Sequence, residues 1–173
     1  MDIKRTKINV ILEKRILTAM IISDKFLSDI VPMHRHEYWN GSGAGTVAKW
    51  CIDYFTKYEK APGKHIEDIY NEHLRDGRID ESHLKFIEKV LQGLSDLYEQ
   101  DNEPFNSDYL VDQTEKWFKK RSLEILHKDI QQDLSQENVE GAEDKLLNYN
   151  TVKKGGKTWV DPFSKDTVQK VFE

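Results

Sequence analysis

SDYLVDQTEKWFKKRSLEILHKDIQQDLS, residues 107–135, is the stretch whose reading decides the fold. Val111, Phe118 and Ile125 recur every seven residues, with Thr114 at an intermediate step. Further on, Leu126, Ile130 and Leu134 recur every four. Apolar residues at steps of three, four and seven fall along one side of a helix. Leu110, Trp117 and Leu123 widen the stripe beyond one face. A helix apolar on more than one face needs more than one neighbour. Ser135-Gln-Glu-Asn138 then breaks the pattern. Asn138 suits a helix N-cap, and Glu140 follows where its charge complements the helix dipole. A second helix is predicted over Val139–Asn148, with Val139, Ala142, Leu146 and Tyr149 on one side. A long helix, a short polar break and a return helix make a helical hairpin. One side of it should fold back on itself, and another should meet a second protein chain.

The rest of the chain reads as helices too. Leu12, Ile16, Ala19, Met20 and Ser23 give a face to a helix over Ile8–Ile22. A short helix carrying Phe26, Leu27, Ile30 and Val31 is stopped by Pro32. Residues 33–45 read as irregular, with Gly41-Ser-Gly43-Ala-Gly45 as a flexible loop. Thr46–Lys60 has Val47, Trp50, Cys51, Tyr54, Phe55 and Tyr58 on its inner side. Two more helical faces follow: Ile66, Ile69, Tyr70, His73 and Leu74, then Leu84, Ile87, Leu91, Leu94 and Tyr98. Asn106 or Ser107 should cap the long arm of the hairpin. No stretch alternates with period two, so the predicted class is all-α.

Composition narrows the function classes. The chain has 173 residues, 38% hydrophobic and 33% charged, which suits a core bearing exposed amphipathic helices. A net charge of −5 argues against wrapping nucleic acid by bulk electrostatics. Cys51 is the single cysteine, so no intrachain disulfide forms, which fits a reducing cytoplasm. Glu13, Lys14 and Arg15 interrupt the first apolar stretch, which is therefore neither a signal peptide nor a membrane span.

No catalytic or metal motif is complete. His34-x-His36 has strand spacing, lacks a second pair nearby, and His65, His73 and His83 fall on separate predicted helices. Gly41–Gly45 follows no strand, so the dinucleotide fingerprint is not met. Gly156-Lys157-Thr158 lacks the earlier glycine of a P-loop, because Thr151 stands there. Lys116-Trp-Phe-Lys-Lys-Arg121 interleaves cations with aromatics, as single-strand binders do, but Phe118 belongs to the apolar stripe.

The order of these pieces resembles the N-terminal domain of DnaB-type replicative helicases, in the form found in phages and prophages. Glu13-Lys-Arg-Ile16-Leu17 is similar to the start of that family's first helix. Tyr38-Trp39 resembles its aromatic pair, and Ala48 through Pro62 its next helix and Ala-Pro turn. Tyr109-Leu-Val through Arg121 and Val139-Glu-Gly-Ala142-Glu resemble the two hairpin arms. Asp161-Pro162-Phe163 resembles the linker to the ATPase domain. Gly41–Gly45 departs from the family's pattern.

The resemblance implies a globular helical bundle over 1–105, a protruding antiparallel hairpin over 106–150, and a linker with a short docking helix over 151–173. Hairpins of neighbouring subunits would pair, building a collar on a hexameric ring where primase and helicase loaders act. Val111, Thr114, Phe118, Ile125, Leu126, Ile130, Val139 and Leu146 are the expected interface. Pro162, Phe163, Val168, Val171 and Phe172 would dock the linker on an adjacent ATPase domain. ATP and Mg belong to that domain, whose Walker motifs are not in this sequence. No cofactor is expected in this chain, which would be a non-catalytic piece of a cytoplasmic helicase in a bacterium or phage-infected cell. DNA would be met only through the full helicase, and no membrane is involved. The alternative is a stand-alone phage helicase-loader or helicase-interacting protein; a small helical enzyme or metal protein is a third.

Overall fold

The computed structural model describes residues 2–39, 42–77, 79, 81–100 and 106–153. Among these residues there are seven α-helices and no strand. They are α1 (Asp2–Ile22), α2 (Asp24–Ile30), α3 (Ser42–Tyr58), α4 (His65–Asp76), α5 (Glu81–Gln100), α6 (Ser107–Ser135) and α7 (Val139–Leu147). Two single 3-10 turns, Val31–Met33 and His36–Tyr38, join α2 to α3. The protein is all-α.

Local chemistry places the helix ends. The Ser23 hydroxyl accepts from Phe26 N–H at 3.2 Å and starts α2. Asn106 accepts from Tyr109 N–H at 3.0 Å and starts α6. Side-chain oxygens of this kind satisfy donors that a helix start leaves unpaired. Gly77 ends α4 at φ +61°, a left-handed conformation that a side chain would strain. Asp24 ties the α3–α4 loop to α2: its Oδ1 accepts from Ala61 N–H at 2.7 Å, and its Oδ2 meets Lys60 at 2.8 Å. Those two contacts hold the Asp24 carboxyl below its ordinary range.

α1, α3 and α5 pack on one another, and α2 packs on α6. Ile16, Met20, Phe26, Leu27, Ile30, Val47, Cys51, Ile87 and Phe118 are fully enclosed. α4 lies on α3, where the His73 ring stacks on Trp50 with centroids 4.8 Å apart. Phe118 is the hub of an aromatic cluster. Tyr38, Trp117, His34 and Trp39 surround it with centroids at 5.0, 5.4, 6.0 and 6.3 Å. Trp39 Nε1–H donates to His34 Nε2 at 2.8 Å. Burial, with His36 nearby, pushes the His34 imidazole down to about 4, so it is neutral at pH 7.

Three expectations change. The glycine run is not wholly a loop, because Ser42–Gly45 forms the first turn of α3. Gly45 gives the His36 ring room there: a Cβ would stand 2.9 Å from its Cε1. The division at residue 106 also moves. Leu110, Val111, Trp117 and Phe118 lie in the same core as α1–α5, so the first half of α6 belongs to the bundle. Val152 is buried in that core as well, so the chain returns to the bundle after α7. The docking helix with Pro162, Phe163, Val168, Val171 and Phe172 lies outside the described residues.

Phe118→Ala should cost about 3–5 kcal/mol, the range for removing an enclosed Phe. Urea unfolding of both proteins checks this. His34 predicts an acid-labile fold. The unfolded imidazole takes its proton near 6.5, whereas the folded one resists until about 4. Stability from this group is therefore complete above pH 6.5 and lost as pH falls toward 4, by up to about 3 kcal/mol. His34→Gln should flatten that part of the stability–pH curve.

Candidate interaction surface

Among the described residues, α7 is the main neighbour of the second half of α6. Gln136–Asn138 makes the reversal. Backbone N–H groups of Gln136 and Asn138 both donate to the Asp133 carbonyl, at 3.0 and 2.9 Å. Glu137 adopts φ +58°, which turns the chain back. The Asn138 side chain accepts from Gly141 N–H at 3.1 Å and starts α7. Gly141 leaves room for that cap, since a Cβ there would fall 2.2 Å from Asn138 Nδ2.

A charge pair fastens the return arm. Lys145 Nζ stands 2.5 Å from Asp133 Oδ2 and 3.4 Å from the Asp129 carbonyl, which accepts a hydrogen bond. The Asp133 contact is an ion pair and not an aligned hydrogen bond. Asp133 is buried, so its carboxylate depends on that ammonium. α7 buries Ala142 and little else.

The expected interface residues separate into three groups. Val111, Thr114 and Phe118 are sealed inside this chain's own core and are not available to a partner. Thr114 is satisfied there by donating its hydroxyl to the Leu110 carbonyl at 2.7 Å. Ile125, Leu126 and Ile130 are half-buried, and Ile125 packs on the core. Val139 and Leu146 face solvent, with 56% and 58% of their surface exposed. Leu123, Leu134 and Leu147 join them, Leu147 at 83%. Leu147 was not singled out from the sequence; its place beside Leu146 at the end of an amphipathic helix was the available signal. Ten large hydrophobics are exposed among the described residues, and five fall between 123 and 147. Isolated exposed apolar residues are ordinary, but a local concentration marks a contact surface.

The other candidates resolve in ordinary ways. Trp117 and Phe118 are buried, so the Lys116–Arg121 run offers no aromatic platform for bases. Three of its four cations are paired: Lys119 with Glu115 at 2.6 Å, Lys120 with Glu124 at 3.5 Å, and Arg121 with Glu124 at 2.6 Å. Arg121 Nε also donates to the Tyr38 carbonyl at 2.8 Å. Cys51 is enclosed, and burial raises its thiol far above the reactive range. Among the described residues no three His, Cys, Asp or Glu side chains gather as metal ligands. No described helix is long and apolar enough to cross a membrane.

Comparison of the chain with protein-family models, curated proteins and solved structures finds no match.

Lys145→Ala should leave the Asp133 carboxylate uncompensated and loosen α7 without unfolding the bundle. Hydrogen exchange should rise over 139–147 and stay unchanged in α1–α3. A global rise in exchange would show that the bundle depends on this clasp.

Proposed function

We propose that this chain is an assembly and docking module, the N-terminal domain of a replicative DNA helicase. The observation that carries this is the concentration of exposed leucine and valine on α6 and α7, beyond the part of α6 that the bundle covers. The order of sequence pieces that resembles the DnaB-type collar supports the same reading. The module works by packing and not by making bonds. The occupant of the surface is a second copy of the hairpin, and pairs of subunits build the collar of a hexameric ring. Primase or a helicase loader then acts on that collar, and ATP hydrolysis resides elsewhere in the parent protein.

Because Val111, Thr114 and Phe118 are buried in this chain, the proposed contact lies farther along the hairpin. Leu134, Val139, Leu146 and Leu147 take the role, with Ile130 and Leu126 half-buried behind them. Each such side chain contributes about 1.5–3 kcal/mol when fully covered. In a two-fold pair every substitution removes two of them.

The expected outcome is reversible self-association in sedimentation, weakened at least about tenfold by the Leu134→Glu/Leu147→Glu double variant. Thermal melting of the variant should stay close to the parent, because neither side chain supports the core. A chain that remains monomeric at high concentration, or a variant that associates equally, overturns the reading. The helicase assignment further expects the parent gene to encode a P-loop ATPase domain after this region.

A further inference from the structure

A depression of about 380 Å³ opens between the Val31–Trp39 segment and α3, lined by His34, Arg35, His36, Lys49 and Ile52. This is the small end of the range for ligand sites. Four of its five lining residues carry N–H donors, and no carboxylate is among them. Arg35 and Lys49 are the permanent cations, both with exposed side chains. Lys49 pairs with Asp53 one turn along α3, an exposed partner with which an incoming anion would share it.

The His34 imidazole is oriented from outside the depression. Trp39 Nε1–H donates to His34 Nε2, which leaves the proton of the neutral ring on Nδ1. The His36 ring lies against the α3 backbone where Gly45 has no Cβ. Donors held in place before a ligand arrives lose less freedom on binding. Ile52 adds an apolar wall to this basic one.

We propose that this depression binds one nucleotide, its phosphate on the Arg35 guanidinium and the Lys49 ammonium and its base or sugar against Ile52 and the imidazole rings. Arg35 suits this because its planar fork matches phosphate oxygens. The site takes a single nucleotide and not a strand. Two permanent cations line it, whereas a strand-binding track repeats them, and the chain's charge is −5.

Calorimetric titration of the full chain tests this with adenosine 5′-monophosphate, adenosine, inorganic phosphate and oligothymidylate at one salt concentration. Adenosine 5′-monophosphate should bind, with adenosine and inorganic phosphate each weaker by at least about tenfold. Arg35→Ala/Lys49→Ala should lose at least about tenfold in affinity with an unchanged melting temperature, since both side chains are exposed. Absence of binding at millimolar adenosine 5′-monophosphate overturns the proposal, as does unchanged affinity in the double variant. Inorganic phosphate binding equally well overturns the nucleotide assignment. Oligothymidylate binding more tightly, with the steep salt dependence of several phosphates, overturns the single-nucleotide site.

Discussion

The enclosure of Phe118 is the constraint on which the rest of this structure depends. One ring, fully buried, touches both halves of the architecture. On its own helix it neighbours Trp117; from the α2–α3 connection come His34, Tyr38 and Trp39. That connection has little regular structure of its own, only two 3-10 turns. Aromatic rings with offset or edge contacts give it a shape that backbone hydrogen bonds do not. Arg121, three residues along α6, adds a hydrogen bond to the Tyr38 carbonyl and locks the register. Once α6 is held there, its direction fixes where its second half leaves the bundle.

The consequence is a division of labour within one helix. Up to Phe118, Leu110, Val111, Trp117 and Phe118 of α6 lie in the core. Beyond Ile125, among the described residues, Leu126 and Ile130 are half-buried beside α7 and Leu134 is exposed. The reversal is made by backbone carbonyls, one left-handed residue, an asparagine cap and a lysine–aspartate pair, so it needs almost no apolar contact. Leu134, Val139, Leu146 and Leu147 are exposed around it among the described residues. In the α2–α3 connection, His34 is oriented by Trp39, and the His36 ring lies where Gly45 has no Cβ.

Glycine illustrates how far sequence reasoning carries. Gly41–Gly45 has the composition of a flexible loop, yet residues 42–45 turn as helix. The helix propensity of glycine is low, yet Gly45 lies in that turn, with the His36 ring where a Cβ would come within 2.9 Å of it. Gly141, inside the short α7, is the space for the Asn138 cap. The His34-x-His36 pair invited a metal reading; in the structure one ring is engaged by Trp39 and the other lies on α3. Neither role leaves a mark in spacing.

Sequence alone determined the helical class, the span of α6 and the turn to α7, because helical periodicity and capping are local properties written within a few residues. Asn106 and Asn138 as caps and Ser135 as the end of α6 were legible for that reason. Only the tertiary structure decided which apolar positions are inside. Val111, Phe118, Val139 and Leu146 look alike on a helical wheel, but the first two meet the α2–α3 connection and the last two meet water. An amphipathic pattern states that a face must be covered; which neighbour covers it depends on contacts across some eighty residues of chain, as from Tyr38 to Arg121.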